Sequence, residues 1–146
     1  MLDSGLPRSL AEDEVVCHFL HFSSQFTKSH VLYGAFFPPV HQKPLQVSVF
    51  RTIGYSDGQI WDLGQRHIPK KGEASLKARA DISVNSIIAE SLKVESSEPP
   101  QRHSDILGWP EPTPPFDGKS GNKIAKDTWL GIATQLARKS KLVEIK

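Results

Sequence analysis

The residues in this chain best suited to proton chemistry are its six histidines, at positions 18, 21, 30, 41, 67 and 103. Two imidazoles, one as general base and one as general acid, can cleave a phosphodiester without a metal. They need a cation beside them to stabilise charge developing on the phosphoryl oxygens. His103 directly follows Arg102, and His67 directly follows Arg66. The candidate catalytic set is His103, Arg102, His67 and Arg51, and it requires only that the four meet in space. His18 and His21 are three apart, so on a helix they would share one side. A zinc ion there would need further ligands such as His103 or Asp105, and HxxH without an intervening glutamate is a weak metal signature. No metal and no cofactor is expected.

Other reaction classes lack their signatures. Phosphate-cradling GxxxxGK[ST] and GxGxxG loops are absent, and the DGKSG run has neither the glycine spacing nor a preceding apolar strand. No GxSxG nucleophile elbow occurs. A single cysteine excludes an intramolecular disulfide framework. Lying in VVCHFLHF, Cys17 reads as a small buried hydrophobe.

The stretch RHSDILGWP also has a structural reading. Asp105 can accept backbone N–H bonds in a turn or pair with Arg102 or Arg79. Ile106, Leu107 and Trp109 would bury, Gly108 would supply the dihedral of a tight corner, and Pro110 would stop any helix. In ARADIS, Arg79 and Asp81 stand two apart and share one face of a strand, as an ion pair or as one end of a cleft. Arg79, Asp81, Asp105 and Trp109 are therefore the candidate structural or binding residues.

These groups have to be positioned by secondary structure. Ser9 with Glu12 three residues on forms a capping box, and Asp13 and Glu14 suit a first helical turn. This predicts a helix through Val15 or Val16, Phe19, Phe22 and Phe26, against a competing strand reading of VVCHFLHF. HVLYGAFFPPV is aromatic-rich and reads as a short strand or an extended loop. In LQVSVFRT, Leu45, Val47, Val49 and Arg51 alternate with Gln46, Ser48, Phe50 and Thr52, which predicts a strand. Asp57-Gly58 then signals a hairpin turn, with GQIWDL as the returning strand. LKARADI reads as another strand, and SVNSIIAESLKV as a short helix capped by Ser83 with Ile87, Ile88 and Leu92 turned inward. Prolines at 99, 100, 110, 112, 114 and 115 make a proline-rich loop of about 96–121. Beyond it, Ala125, Trp129, Ile132 and Leu136 recur at helical spacing through NKIAKDTWLGIATQLARKSKLVEI.

A chain of 146 residues with 38% hydrophobic composition suits one domain, 1–146, with a frayed 1–8. The expected fold is a small α+β domain: an antiparallel, hairpin-based sheet with helices packed on one face. The formal net charge of +2 is too small to imply nucleic acid by itself, although the basic C-terminal helix offers a possible phosphate contact. No segment reads as a signal peptide or a membrane span, so the expected location is the cytoplasm.

The ordered segments SVFR (48–51), ARADIS (78–83) and RHSDILGWP (102–110) resemble those of small uncharacterised prokaryotic proteins. That resemblance implies a bacterial origin and carries no activity. The functional expectation is a non-enzymatic cytoplasmic accessory protein that binds another protein, with nucleic-acid contact as an addition. Its contact surfaces would be HVLYGAFFPP and the proline-rich 110–115. The alternative is the histidine-based nuclease or phosphate-handling enzyme.

Overall fold

The computed structural model describes residues 2–39, 45–67, 75–111 and 120–145, with side chains of the last helix described from residue 126. Six strands form one antiparallel sheet: β1 (Val15–Leu20), β2 (Val47–Arg51), β3 (Ala78–Ser83), β4 (Lys93–Ser96), β5 (His103–Leu107) and β6 (Lys141–Glu144). Their spatial order is β4-β5-β2-β1-β3-β6. Helices α1 (Asp57–His67), α2 (Val84–Ile88) and α3 (Ser120–Lys139) pack against it. The chain is thus a small α+β domain with an antiparallel sheet, as expected. Its helices cover both faces of the sheet where one was expected, because α1 forms in place of the returning hairpin strand and packs opposite α2 and α3.

Strand alternation divides the core in two. Val16, Leu20, Val47, Val49, Ala80, Ile82 and Ile106 meet Ile87 of α2 and Trp129, Ala133 and Leu136 of α3 on one face. Cys17, Phe19 and Phe50 meet Ile60 and Leu63 of α1 on the other. Each fully buried Leu, Ile or Phe contributes roughly 1.5–3 kcal/mol, so both layers hold the sheet firmly.

Five elements differ from the sequence expectation: β1, α1, β5, the tail strand β6, and β4, whose Lys93 and Val94 were expected at the end of the helix SVNSIIAESLKV. Residues 15–20 form β1, where a helix was favoured. The capping box at Ser9–Glu12 is a local preference of about 1 kcal/mol. As a central strand the segment buries Val16 and Leu20 on one face and Cys17 and Phe19 on the other, which a helix with one apolar stripe cannot do. Glu14 is also committed elsewhere, with its carboxylate bonded to Arg51.

The second difference is α1, which replaces the expected returning strand GQIWDL. Ser56 Oγ accepts from the Gln59 N–H at 3.3 Å, and Gln59 Oε1 accepts from the Ser56 N–H at 2.9 Å. That reciprocal pair caps a helix start, and Ile60, Leu63 and Gly64 then share its buried side. Gly64 is the point of closest approach: a Cβ there would lie 2.7 Å from the Phe19 ring.

Third, β5 runs through the stretch read as a proline-rich loop and sits between β4 and β2. Its flanking prolines lie outside the paired residues, so no ladder donor is lost. Residues 112–119, the remainder of that loop, fall outside the described residues. The tail KLVE, expected as helix, leaves α3 at Ser140 and pairs with β3 as β6.

Other expectations hold in part. Ser83 caps α2, its Oγ accepting from the Ser86 N–H at 3.2 Å. Ile87 and Leu92 are buried, whereas Ile88 turns outward. Trp129 and Leu136 anchor α3; the Ala125 side chain is outside the described residues. The N-terminal segment, read as frayed, is tied down: Ser4 bonds Glu98, Pro7 accepts from Arg51, and Arg8 accepts from Ser96.

Candidate functional site

The register of β5 against β2 places His103 opposite Phe50, on the α1 face. The last turn of α1 brings His67 onto the same ring. His67 stacks on Phe50 at 5.0 Å between centroids, and His103 meets it edge-on at 5.3 Å. Two of the four candidate catalytic residues therefore converge. The His67 pKa is lowered by its partial burial, then by the Arg66 and His103 charges. His103 Nδ1 lies 2.6 Å from Ser97 Oγ, and its Nε2 is 3.9 Å from Asp105 Oδ1.

The two arginines do not join them. Arg51 points to the opposite face, where its guanidinium is fully buried and bonds both Glu14 oxygens, the Pro7 carbonyl and Ser96 Oγ. Arg102 adopts a left-handed φ of +70°. It is held there by its N–H to Glu98, by guanidinium bonds to the Arg51 and Ile53 carbonyls, and by stacking 3.4 Å over Tyr55. Arg51 is a structural clamp with all three guanidinium nitrogens on protein acceptors, and Arg102 directs its Nη1 at two backbone carbonyls.

Arg79 and Asp81 form the ion pair their spacing implied, at 2.9 Å. Arg79 also reaches across to α1, bonding Asp57 at 2.8 Å and lying 4.7 Å over the Trp61 ring. Burial works to lower the Arg79 pKa, but the bonds to Asp81 and Asp57 outweigh it and raise it. Burial likewise raises Asp81 despite the neighbouring guanidinium. Asp105 pairs with neither Arg102 nor Arg79, and its Oδ1 is buried without a hydrogen-bond partner. Trp109 anchors the corner as expected: it is buried, donates to the Ile106 carbonyl at 3.1 Å, and follows Gly108 at φ +93°.

His18 lies on the α3 face and His103 and Asp105 on the α1 face, so the sheet itself separates those ligand candidates. Among the described residues no group of three or more His, Cys, Asp or Glu is placed to hold a metal ion. Burial lowers the His18 and His21 pKa values, with His18 Nδ1 2.7 Å from the Ser48 carbonyl.

A second feature lies between β1 and β2. Two single 3-10 turns, Ser23–Gln25 and Tyr33–Ala35, abut so closely that a Cβ on Gly34 would stand 3.2 Å from the Ser24 carbonyl. The Gln25 amide oxygen accepts from the His21 and Phe22 N–H groups, and a bridge joins Phe26 to Val31. From this braced corner Phe22 and Tyr33 project, each 52% exposed. Within HVLYGAFFPP the roles divide: Tyr33 faces solvent, while Val31, Ala35 and Phe36 enter the core. Phe22 was expected on a buried helical stripe, and it is exposed because the helix does not form. Proline-rich 112–115 and histidine 41 lie outside the described residues, as do the basic residues 70 and 71.

Beside the corner, a groove of about 910 Å³ runs along β6, lined by Lys28, Ser29, Asp57, Arg79, Asp81 and Lys141 among others. No described helix is long and apolar enough to cross a membrane. No family model matches the chain, and no curated protein or solved structure matches it.

Proposed function

We propose that this chain is a cytoplasmic accessory protein that binds another protein through the Phe22–Tyr33 corner. The observation that supports this is the pair of large aromatic side chains, more than half exposed, on a backbone braced by Gln25 and the Phe26–Val31 bridge. Rigid aromatic anchors carry a large share of interface energy, because they bury much area at little entropy cost. Affinity capture with the tagged chain, with nuclease treatment, tests the reading against a Phe22→Ala/Tyr33→Ala variant. A stoichiometric protein partner that survives nuclease and is lost with the variant supports it. Recovery that depends on nucleic acid, or that ignores both substitutions, refutes it.

A second reading, a metal-independent phosphodiesterase, draws on the meeting of His67 and His103 at Phe50. It is the weaker of the two, since Arg51 is buried on the opposite face and bonded to Glu14 and the Arg102 Nη1 is bonded to two backbone carbonyls, which leaves Arg66 as the cation beside His67. Hydrolysis of a labelled RNA or DNA that disappears in His103→Ala at unchanged stability would establish it.

A further inference from the structure

The two edges of the sheet are treated differently. At the β4 edge, the N-terminal segment is tied alongside: Ser96 Oγ donates to the Arg8 carbonyl at 2.6 Å, and Ser4 bonds Glu98. At the other edge, β6 pairs with β3 on its inner side and has no strand on its outer side among the described residues.

Hydrogen-bond alternation shows which β6 groups are open. The Ile145 N–H donates to the Lys77 carbonyl at 3.1 Å. In an antiparallel ladder, bonded pairs recur every second residue. Val143 and Lys141 therefore face their β3 partners Arg79 and Asp81, and the backbone of Leu142 and Glu144 points outward. This edge carries no proline and no bulge, two common protections of exposed strands. The groove runs along the same edge for the six residues Ser140–Ile145, roughly 20 Å of extended chain. Lys28 and Ser29, in the segment that joins the two aromatic turns, also line it. The lining charges are Lys28, Arg79 and Lys141 against Asp57, Asp81 and Glu144. They balance, which favours an occupant held by its main chain over one drawn in by net charge.

We infer that β6 is a strand-addition site, at which an extended, proline-free segment of a partner protein pairs with the outward backbone of Leu142 and Glu144. This deepens the protein-binding reading and rests on it. Main-chain bonds supply the affinity, and the groove beside Arg79 and Asp81 selects alternate side chains of the added strand.

The test selects a displayed library of random peptides on the full chain, then measures their binding to Leu142→Pro and Glu144→Pro. Each proline removes an outward N–H and leaves the β3–β6 bonds through residues 141, 143 and 145, a position edge strands tolerate. Amide exchange on the unsubstituted chain reports the same contact without any variant. The expected result is peptides that protect the Leu142 and Glu144 amides and bind both variants about tenfold more weakly or worse. Peptides that bind both variants unchanged, a selection that returns no binder, or self-association of the chain through β6 would each overturn the inference. Partner capture lost with Phe22→Ala/Tyr33→Ala but kept by both proline variants would overturn strand addition and leave the protein-binding reading standing.

Discussion

Glu14→Gln should be among the most destabilising single substitutions in this protein, although it changes one atom. Glu14 and Arg51 side chains are only 2% and 1% exposed, and the guanidinium bonds both carboxylate oxygens. Neutralising Glu14 leaves a buried cation facing an amide, and breaking such a pair from one side costs about 3–5 kcal/mol. Against a typical domain stability of about 5–15 kcal/mol that is a large fraction. At this chain length it corresponds to a fall of roughly 10–15 °C in Tm. Arg51→Met should cost as much, since it strands the Glu14 carboxylate and the Pro7 carbonyl together. The double variant Glu14→Leu/Arg51→Met removes both charges and should be less destabilised than either single change, apart from the lost bonds to Pro7 and the Ala11 N–H. Urea unfolding followed by tryptophan fluorescence, at constant m, gives all three values and their coupling. Single losses below about 1 kcal/mol, the behaviour of an exposed pair, would refute the reasoning. So would a double loss equal to the sum of the singles.

Two glycines on helices should respond oppositely to alanine. Gly131 is exposed, with nothing within 4 Å of an added Cβ, so Gly131→Ala should stabilise by about 1 kcal/mol in the same unfolding assay. Gly64→Ala would place its methyl inside contact distance of Phe19 and Leu76; overpacking of about 1–3 kcal/mol should exceed the helix gain and lower stability. Stability should also fall as pH drops below about 6.5. The folded-state pKa values of His18, His21 and His67 all lie below the ordinary value of 6.5. The unfolded chain therefore takes up protons first, and the neutral rings' contribution is complete above 6.5 and lost below it. His18→Asn, which keeps a donor for the Ser48 carbonyl, should flatten that slope in urea midpoints taken across pH 5 to 8. Cys17 is fully buried and burial raises its thiol pKa, so a thiol reagent should label it only in denaturant; rapid labelling of the native protein would contradict its placement.

Several features are written in local sequence. Alternation in VSVFR and ARADIS marked β2 and β3, and the two-residue spacing of Arg79 and Asp81 placed them on one strand face. Ser83 announced α2, the Trp129–Leu136 stripe announced α3, and Trp109 announced the corner that closes β5. In each case one signal acts alone and its physics is short-range: side-chain direction, a cap bond, or a helical period.

Where a local signal conflicted with packing, tertiary structure decided. In YSDGQIWDL the Asp-Gly signal pointed to a hairpin, whereas in the folded chain reciprocal Ser56–Gln59 bonds start a helix. The helix is the outcome that seats Ile60 and Leu63 on Phe19 and Phe50. Before β1, a capping box worth about 1 kcal/mol faced a strand that buries both its faces between β2 and β3. No spacing could reveal that Glu14 meets Arg51, or that His67 and His103 share Phe50 while Arg51 turns away. Those partners lie far apart in the chain, and strand register alone sets which face of the sheet each side chain takes. The exposure of Phe22 follows from the same cause: once β1 is a strand, the helical stripe that would have buried it does not exist.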